Sequence, residues 1–125
     1  MDVHALQIKL LHCVGTSKLT RHNLVRNLLL SEGAILLANE AGAYWLLDAI
    51  ASWQIDARAR AEPFQTWDLR VDTATRAAVL SMTDGNSTDA IIRQEIDWTD
   101  FPLDGMTLWL VVDGDIRVML LPGEY

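Results

Sequence analysis

The sequence predicts an α+β fold, with N-terminal helices packed on one face of an antiparallel meander sheet of about five strands. Three observations carry that reading. The stretch Gly33 to Ile55, GAILLANEAGAYWLLDAIASWQI, has few helix breakers and a wide apolar face. From Phe64 the apolar residues recur at period two instead. Turn signals at Asp84-Gly85-Asn86 and Asp113-Gly114 then cut the second half into short strands. Helices first and strands after define the class. Residues 1–125 read as a single domain, helical over about 1–60 and sheet over about 63–125.

In chain order, Val3, Leu6, Leu10 and Cys13 fall near helical spacing, so Val3 to His12 reads as a short amphipathic helix ended by Gly15, Thr16 and Ser17. Lys18, Arg21, His22 and Arg26 make the following segment basic. Leu28, Leu29 and Leu30 form an apolar run too short to type by periodicity. Ser31 is the expected N-cap of the central helix. Within that helix Leu37, Ala41, Trp45, Ala49 and Trp53 stack in an apolar column, flanked by Leu46, Leu47 and Ile50. Glu40, Tyr44, Asp48 and Ser52 form the polar stripe. Gly42 costs about 1 kcal/mol relative to alanine in a helix interior. It marks a candidate break, with Asn39 as the cap of a second helix. Pro63 ends the helical half.

Trp67, Leu69 and Val71 then alternate with polar neighbours, as do Ala78, Leu80 and Met82. Ile92, Ile96 and Trp98 share one face of the next strand, and Leu108 to Val112 and Ile116 to Leu121 make a hairpin. Trp45, Leu46, Ala49, Trp67, Leu69, Leu80, Ile96 and Leu110 are the expected inward residues. The hairpin also leaves Trp109 and Val111 on its other face, an apolar patch that makes a homodimer a candidate assembly.

Composition narrows the function classes. Half of the 125 residues are hydrophobic, which argues against disorder. Cys13 is the only cysteine, so no internal disulfide can form and a reducing, cytoplasmic setting is expected. The chain begins Met-Asp-Val-His without a basic leader, and no apolar run approaches the roughly 18 residues of a membrane span. The net charge is −7. It lies in residues 63–125, where eleven acidic residues face four arginines; residues 1–62 balance. Such a surface disfavours nucleic acid and suits a basic protein partner.

Ala41-Gly42-Ala43-Tyr44-Trp45-Leu46-Leu47-Asp48, Thr99-Asp100-Phe101-Pro102 and the ending Leu120-Leu121-Pro122-Gly123-Glu124-Tyr125 resemble an uncharacterised bacterial family, a domain of unknown function frequent on plasmids, phages and other mobile elements. The resemblance covers most of the chain from Gly15 onward. It implies a shared fold and a mobile-element setting, and no activity. The family usually carries aromatics before an Arg-His pair; here Leu19 and Thr20 precede Arg21-His22.

The chemical inventory is short. His4 and His12 lie two helical turns apart, too far to grip one metal as an i, i+4 pair; Cys13 adjoins His12, where a surface histidine and a packed thiol are expected rather than a site, and no nucleophile-elbow pattern occurs. Glu95, Asp97, Asp100, Asp113 and Asp115 read as the wet side of a sheet rather than a calcium loop, so neither metal nor cofactor is expected. One constellation is retained as a binding site: Arg21, His22, Tyr44 and Asp48. Asp48 interrupts an otherwise apolar helix and needs a partner, for which Arg21 or His22 is the candidate. The expected function is a small acidic, non-enzymatic protein-binding module, such as an inhibitor or adaptor. The alternative is a small enzyme with an acid–base site at Arg21, His22 and Asp48.

Overall fold

The computed structural model describes residues 19–25 and 27–125. The helix expected over Val3 to His12, and His4, His12 and Cys13 with it, lie outside the described residues. The described chain opens with two strands, β1 (Leu19–Arg21) and β2 (Leu28–Ser31). Helices α1 (Glu32–Ala41), α2 (Tyr44–Trp53) and α3 (Ala57–Arg60) follow. Then come β3 (Phe64–Val71), β4 (Ala78–Thr83), β5 (Ile92–Ile96), β6 (Gly105–Asp113), β7 (Ile116–Leu120) and a 3-10 turn over Pro122–Glu124. The strands form one seven-stranded sheet in the order β1-β2-β7-β6-β3-β4-β5.

This topology corrects the expected fold class in three respects. The sheet is mixed, because β2 runs parallel to β7 with Leu30 opposite Met119. Its β2 is the Leu28-Leu29-Leu30 run, whose three identical residues show no alternation and whose partner lies almost a whole chain away. It is also no meander. After β5 the chain returns to the far side of β3, where β6 sets Leu108 opposite Trp67. Finally, the helices are short and sit between β2 and β3 in the chain, so they are no N-terminal layer.

Local chemistry explains the elements. Ser31 caps α1 as expected, its Oγ accepting from the Ala34 N–H at 3.0 Å. Gly42 stops the helix in the left-handed region at φ 61°, with its N–H donating to the Ala38 carbonyl. Asn39 does not cap the second helix; its Oδ1 accepts from the Tyr44 hydroxyl at 2.7 Å. The left-handed step resets the helical phase. Consequently α2 buries Leu46, Leu47, Ile50 and Ala51, while Trp45, Ala49 and Trp53 pack half-buried at its flank. Of the other expected inward residues, Trp67, Leu69, Leu80 and Leu110 are buried and Ile96 is half-buried. Strand β5 ends at Ile96, which leaves Trp98 65% exposed. The hairpin register pairs Asp113 with Ile116, so its turn is Gly114-Asp115, one residue later than expected.

Two buried polar groups organise the core. Glu124, at the end of the chain, is 5% exposed. Its Oε1 accepts from the Ser31 hydroxyl at 2.6 Å and the Leu121 N–H at 2.8 Å, and its Oε2 from the Gly33 N–H at 3.0 Å. A carboxylate there sits at the positive end of α1. Gly33 is required because a Cβ would overlap the Glu124 carboxylate. The second group is Gln65 on β3, fully buried. Its Nε2 donates to the Ala59 carbonyl at 2.8 Å, and its Oε1 accepts from Gln54 and from the Trp67 indole, both at 2.9 Å.

Replacing Gln65 by leucine would strand those partners in the interior. We expect Gln65→Leu to lower stability by about 2–4 kcal/mol in urea melts, although it adds apolar volume. An unchanged midpoint would show that the amide network is dispensable.

Candidate functional site

Strand β1 runs into a bend that returns to β2, closed by the His22 N–H on the Leu28 carbonyl at 2.9 Å. The bend turns the His22 ring under the sheet edge, where the residue is 6% exposed. Its Nδ1 accepts from two backbone donors, Leu24 N–H at 3.1 Å and Val25 N–H at 3.2 Å. Backbone N–H groups can only donate, so Nδ1 is bare and Nε2 carries the proton. Nε2 lies 2.8 Å from Asp48 Oδ1 on α2, to which it donates. Asp48 keeps its other oxygen near water, with the side chain 56% exposed.

Tyr44 lies one turn earlier on α2 and is tied to Asn39. Arg21 is exposed. It stands opposite Leu29 in the register of β1 with β2, and it makes no ion pair with Asp48. The partner of Asp48 is therefore His22. Arg21, His22, Tyr44 and Asp48 nonetheless line one shallow cavity of about 170 Å³ with Thr20, Asn23, Leu30, Ile35 and Leu47. That volume falls below the roughly 300–1,000 Å³ of ordinary ligand pockets.

The geometry constrains the chemistry. A histidine that shuttles protons needs one ring nitrogen facing substrate while the other is oriented by its carboxylate. In His22 both are committed, one to Asp48 and one to the backbone. Among the described residues no group of three His, Cys, Asp or Glu side chains is placed to hold a metal ion. No helix among them is long and apolar enough to cross a membrane.

A second constellation was not singled out in the sequence. Phe64, Trp109 and Tyr125 meet edge to face, with ring centroids 5.1, 5.6 and 6.2 Å apart, on the sheet face opposite the Trp67 and Leu108 side. Trp109 was legible there from hairpin alternation. Phe64 joins it because it stands opposite Val111, on the same face as Trp109. Tyr125 gave no signal beyond ending a motif, and it is 74% exposed.

Residues 4–125 match a family of unknown function (DUF6876). The chain belongs to the DUF6876 family. Its structure is similar to the crystal structure of the protein of unknown function from Enterococcus faecalis, with a TM-score of 0.58 at 18% identity over 85% of this chain and 96% of that one. At that identity the likeness is one of fold. No curated protein matches it.

The motifs of this DUF6876 chain have structural roles. In the first, Gly42 makes the break, Leu46 and Leu47 enter the core, and Asp48 receives His22. In Thr99-Asp100-Phe101-Pro102, Phe101 is fully buried, and the Arg76 side chain donates to the carbonyls of Thr99 and Phe101. In the last, Leu121 is buried, Glu124 joins α1, and Tyr125 completes the aromatic trio.

Three substitutions separate the residues of this cavity. His22→Ala removes the acceptor of two backbone donors and should cost about 2–3 kcal/mol. Asp48→Asn keeps an acceptor for Nε2 and should cost about 1 kcal/mol or less. Arg21→Ala should stay within about 0.5 kcal/mol of the parent. Urea melts that gave Arg21→Ala the largest loss would overturn this assignment.

Proposed function

We propose that this DUF6876 protein is a non-enzymatic module that binds a basic protein segment through the outer face of its sheet. The observation that carries this reading is the half-exposed aromatic trio in the half of the chain that holds the whole net negative charge. Across the strands, Leu29, Val118, Val111 and Phe64 stand side by side in register, all half-buried, and extend the trio into an apolar row. Large rings with exposed edges and faces are the usual anchors of protein interfaces and also receive arginine and lysine side chains.

Charge lies close by. A Cβ on Gly85 would sit 3.1 Å from the Phe64 ring, so the Asp84-Gly85-Asn86 turn borders the trio. The backbone N–H groups of Asn86 and Ser87 bond the Asp84 carboxylate and hold its pKa below the ordinary value. Asp84 therefore stays charged through neutral and mildly acidic pH. The commitment of both His22 nitrogens supports the non-enzymatic reading over an acid–base enzyme at Arg21, His22 and Asp48. The family resemblance and the single cysteine favour an inhibitor or adaptor of a mobile element, working in the cytoplasm.

The test compares the parent with Tyr125→Ala and Asp84→Asn, both at exposed or half-exposed positions. An arginine-rich peptide titrated against each is followed by tryptophan fluorescence, with a glutamate-rich peptide as control. We expect saturable binding of the basic peptide, weakening as salt rises and at least several-fold weaker in both variants. Equal response to the acidic peptide, or no loss in either variant, would refute the proposal. So would a two-fold dimer by light scattering that buries Tyr125.

A further inference from the structure

A cleft beside Gln54, at the C-terminal end of α2, gathers positive charge in a protein whose net charge is negative. It is lined by Val25, Asn27, Gln54, Ile55, Arg60 and Arg117 and holds about 300 Å³. Its two arginines come from distant parts of the chain. Arg60 is the last residue of α3, and Arg117 lies in β7, where its N–H bonds the Asn27 carbonyl at 2.8 Å. Of the two arginines on α3, Arg58 is neutralised by Asp56, with Nε 3.0 Å from Oδ1. Arg60 has no such partner: among the described residues neither Arg60 nor Arg117 makes an ion pair with a carboxylate.

Arg117 is also partly desolvated. Burial, and after it the charge of Arg60, push its guanidinium below the usual arginine value. One of its N–H groups is used, NH1 donating to Gln54 Oε1 at 3.1 Å. A like-charged pair facing a cleft raises the energy of the empty protein, and an anion between them relieves both the repulsion and the lost hydration. The walls decide which anion fits. Val25 is half-buried and Ile55 is 83% exposed, which gives the cleft an apolar flank beside its charged end.

We propose that Arg60 and Arg117 form an oxyanion site for a carboxylate that carries a short aliphatic group. The carboxylate lies between the two guanidinium groups, which can each present paired N–H donors. The aliphatic group rests on Val25 and Ile55. The Asn27 amide, now bonded through Nδ2 to the Asp115 carbonyl at 3.0 Å, stands at the rim. The ligand is either a free short-chain acid or the carboxylate end of a peptide; the chemistry recognised is the same. This site is independent of the aromatic face.

The experiment is a nuclear magnetic resonance titration of the full chain that follows the side-chain amides of Asn27 and Gln54. The probes are butyrate, an uncharged-side-chain tripeptide ending in valine, and butylammonium as the charge-reversed control. We expect saturable shifts with butyrate or with the tripeptide, the stronger of the two identifying the source, and none with butylammonium. Arg60→Gln should weaken binding at least tenfold without moving the melting temperature, since Arg60 is exposed. Arg60→Lys keeps the charge and loses the fork, and should weaken it several-fold. No saturable shift with either carboxylate, equal shifts with butylammonium, or parental affinity in both variants would overturn the proposal.

Discussion

The carboxylate of Glu124 is the joint on which the rest of the structure depends. It meets the hydroxyl of Ser31, where β2 becomes α1, the N–H of Gly33 in the first turn of that helix, and the N–H of Leu121 just past β7. Strands β2 and β7 form the only parallel pair of the described sheet. Parallel neighbours cannot be joined by a tight turn, and here the connection runs through nearly all the remaining chain. Closing so long a loop is entropically costly, and a short β2 contributes few ladder bonds of its own. A charged hydrogen-bond acceptor at the open end of that pair supplies what the ladder lacks. Burying it is tolerable because donors and the helix N-terminus surround it.

That joint positions the cavity residues as well. With β2 fixed, β1 pairs on its outer edge and the bend between them carries His22 to Asp48 on α2. The ring then satisfies the bend's own backbone donors. A histidine facing an aspartate suggests chemistry when seen in isolation. Its hydrogen bonds within the described residues describe a peg that fastens a strand edge to a helix. What the fold leaves outward is the other sheet face, where alternation collects Phe64, Trp109 and the apolar row, and where Tyr125 arrives because Glu124 holds the chain end in place.

Local signals were legible, long-range ones were not. Ser31 as cap, Gly42 as break and the strands beginning at Phe64 and Ala78 follow from residue chemistry within a few positions. The pairing of Leu28–Ser31 with β7 and the return of β6 to β3 depend on contacts across dozens of residues that no local pattern encodes. The site divides the same way. Asp48 announced its need for a partner by sitting in an apolar helix, but choosing His22 over Arg21 required the bend that follows a three-residue strand. Glu124 read as one more acidic residue at a chain end, since nothing near it in sequence shows that a helix N-terminus waits for it. Arg60 and Arg117 are each unremarked in sequence, and only the fold brings them to one cleft.

Amide hydrogen exchange in Glu124→Gln protein tests the central claim directly, because the Ser31 hydroxyl and the Gly33 and Leu121 N–H groups all donate to this side chain, and Gln turns one of its two acceptors into a donor. The account expects faster exchange at Gly33 and Ala34 and along β2 from Leu28 to Leu30, with Trp67 and Leu69 in β3 as protected as in the parent. Unchanged protection in α1 and β2, or a uniform loss across the whole sheet, would contradict it.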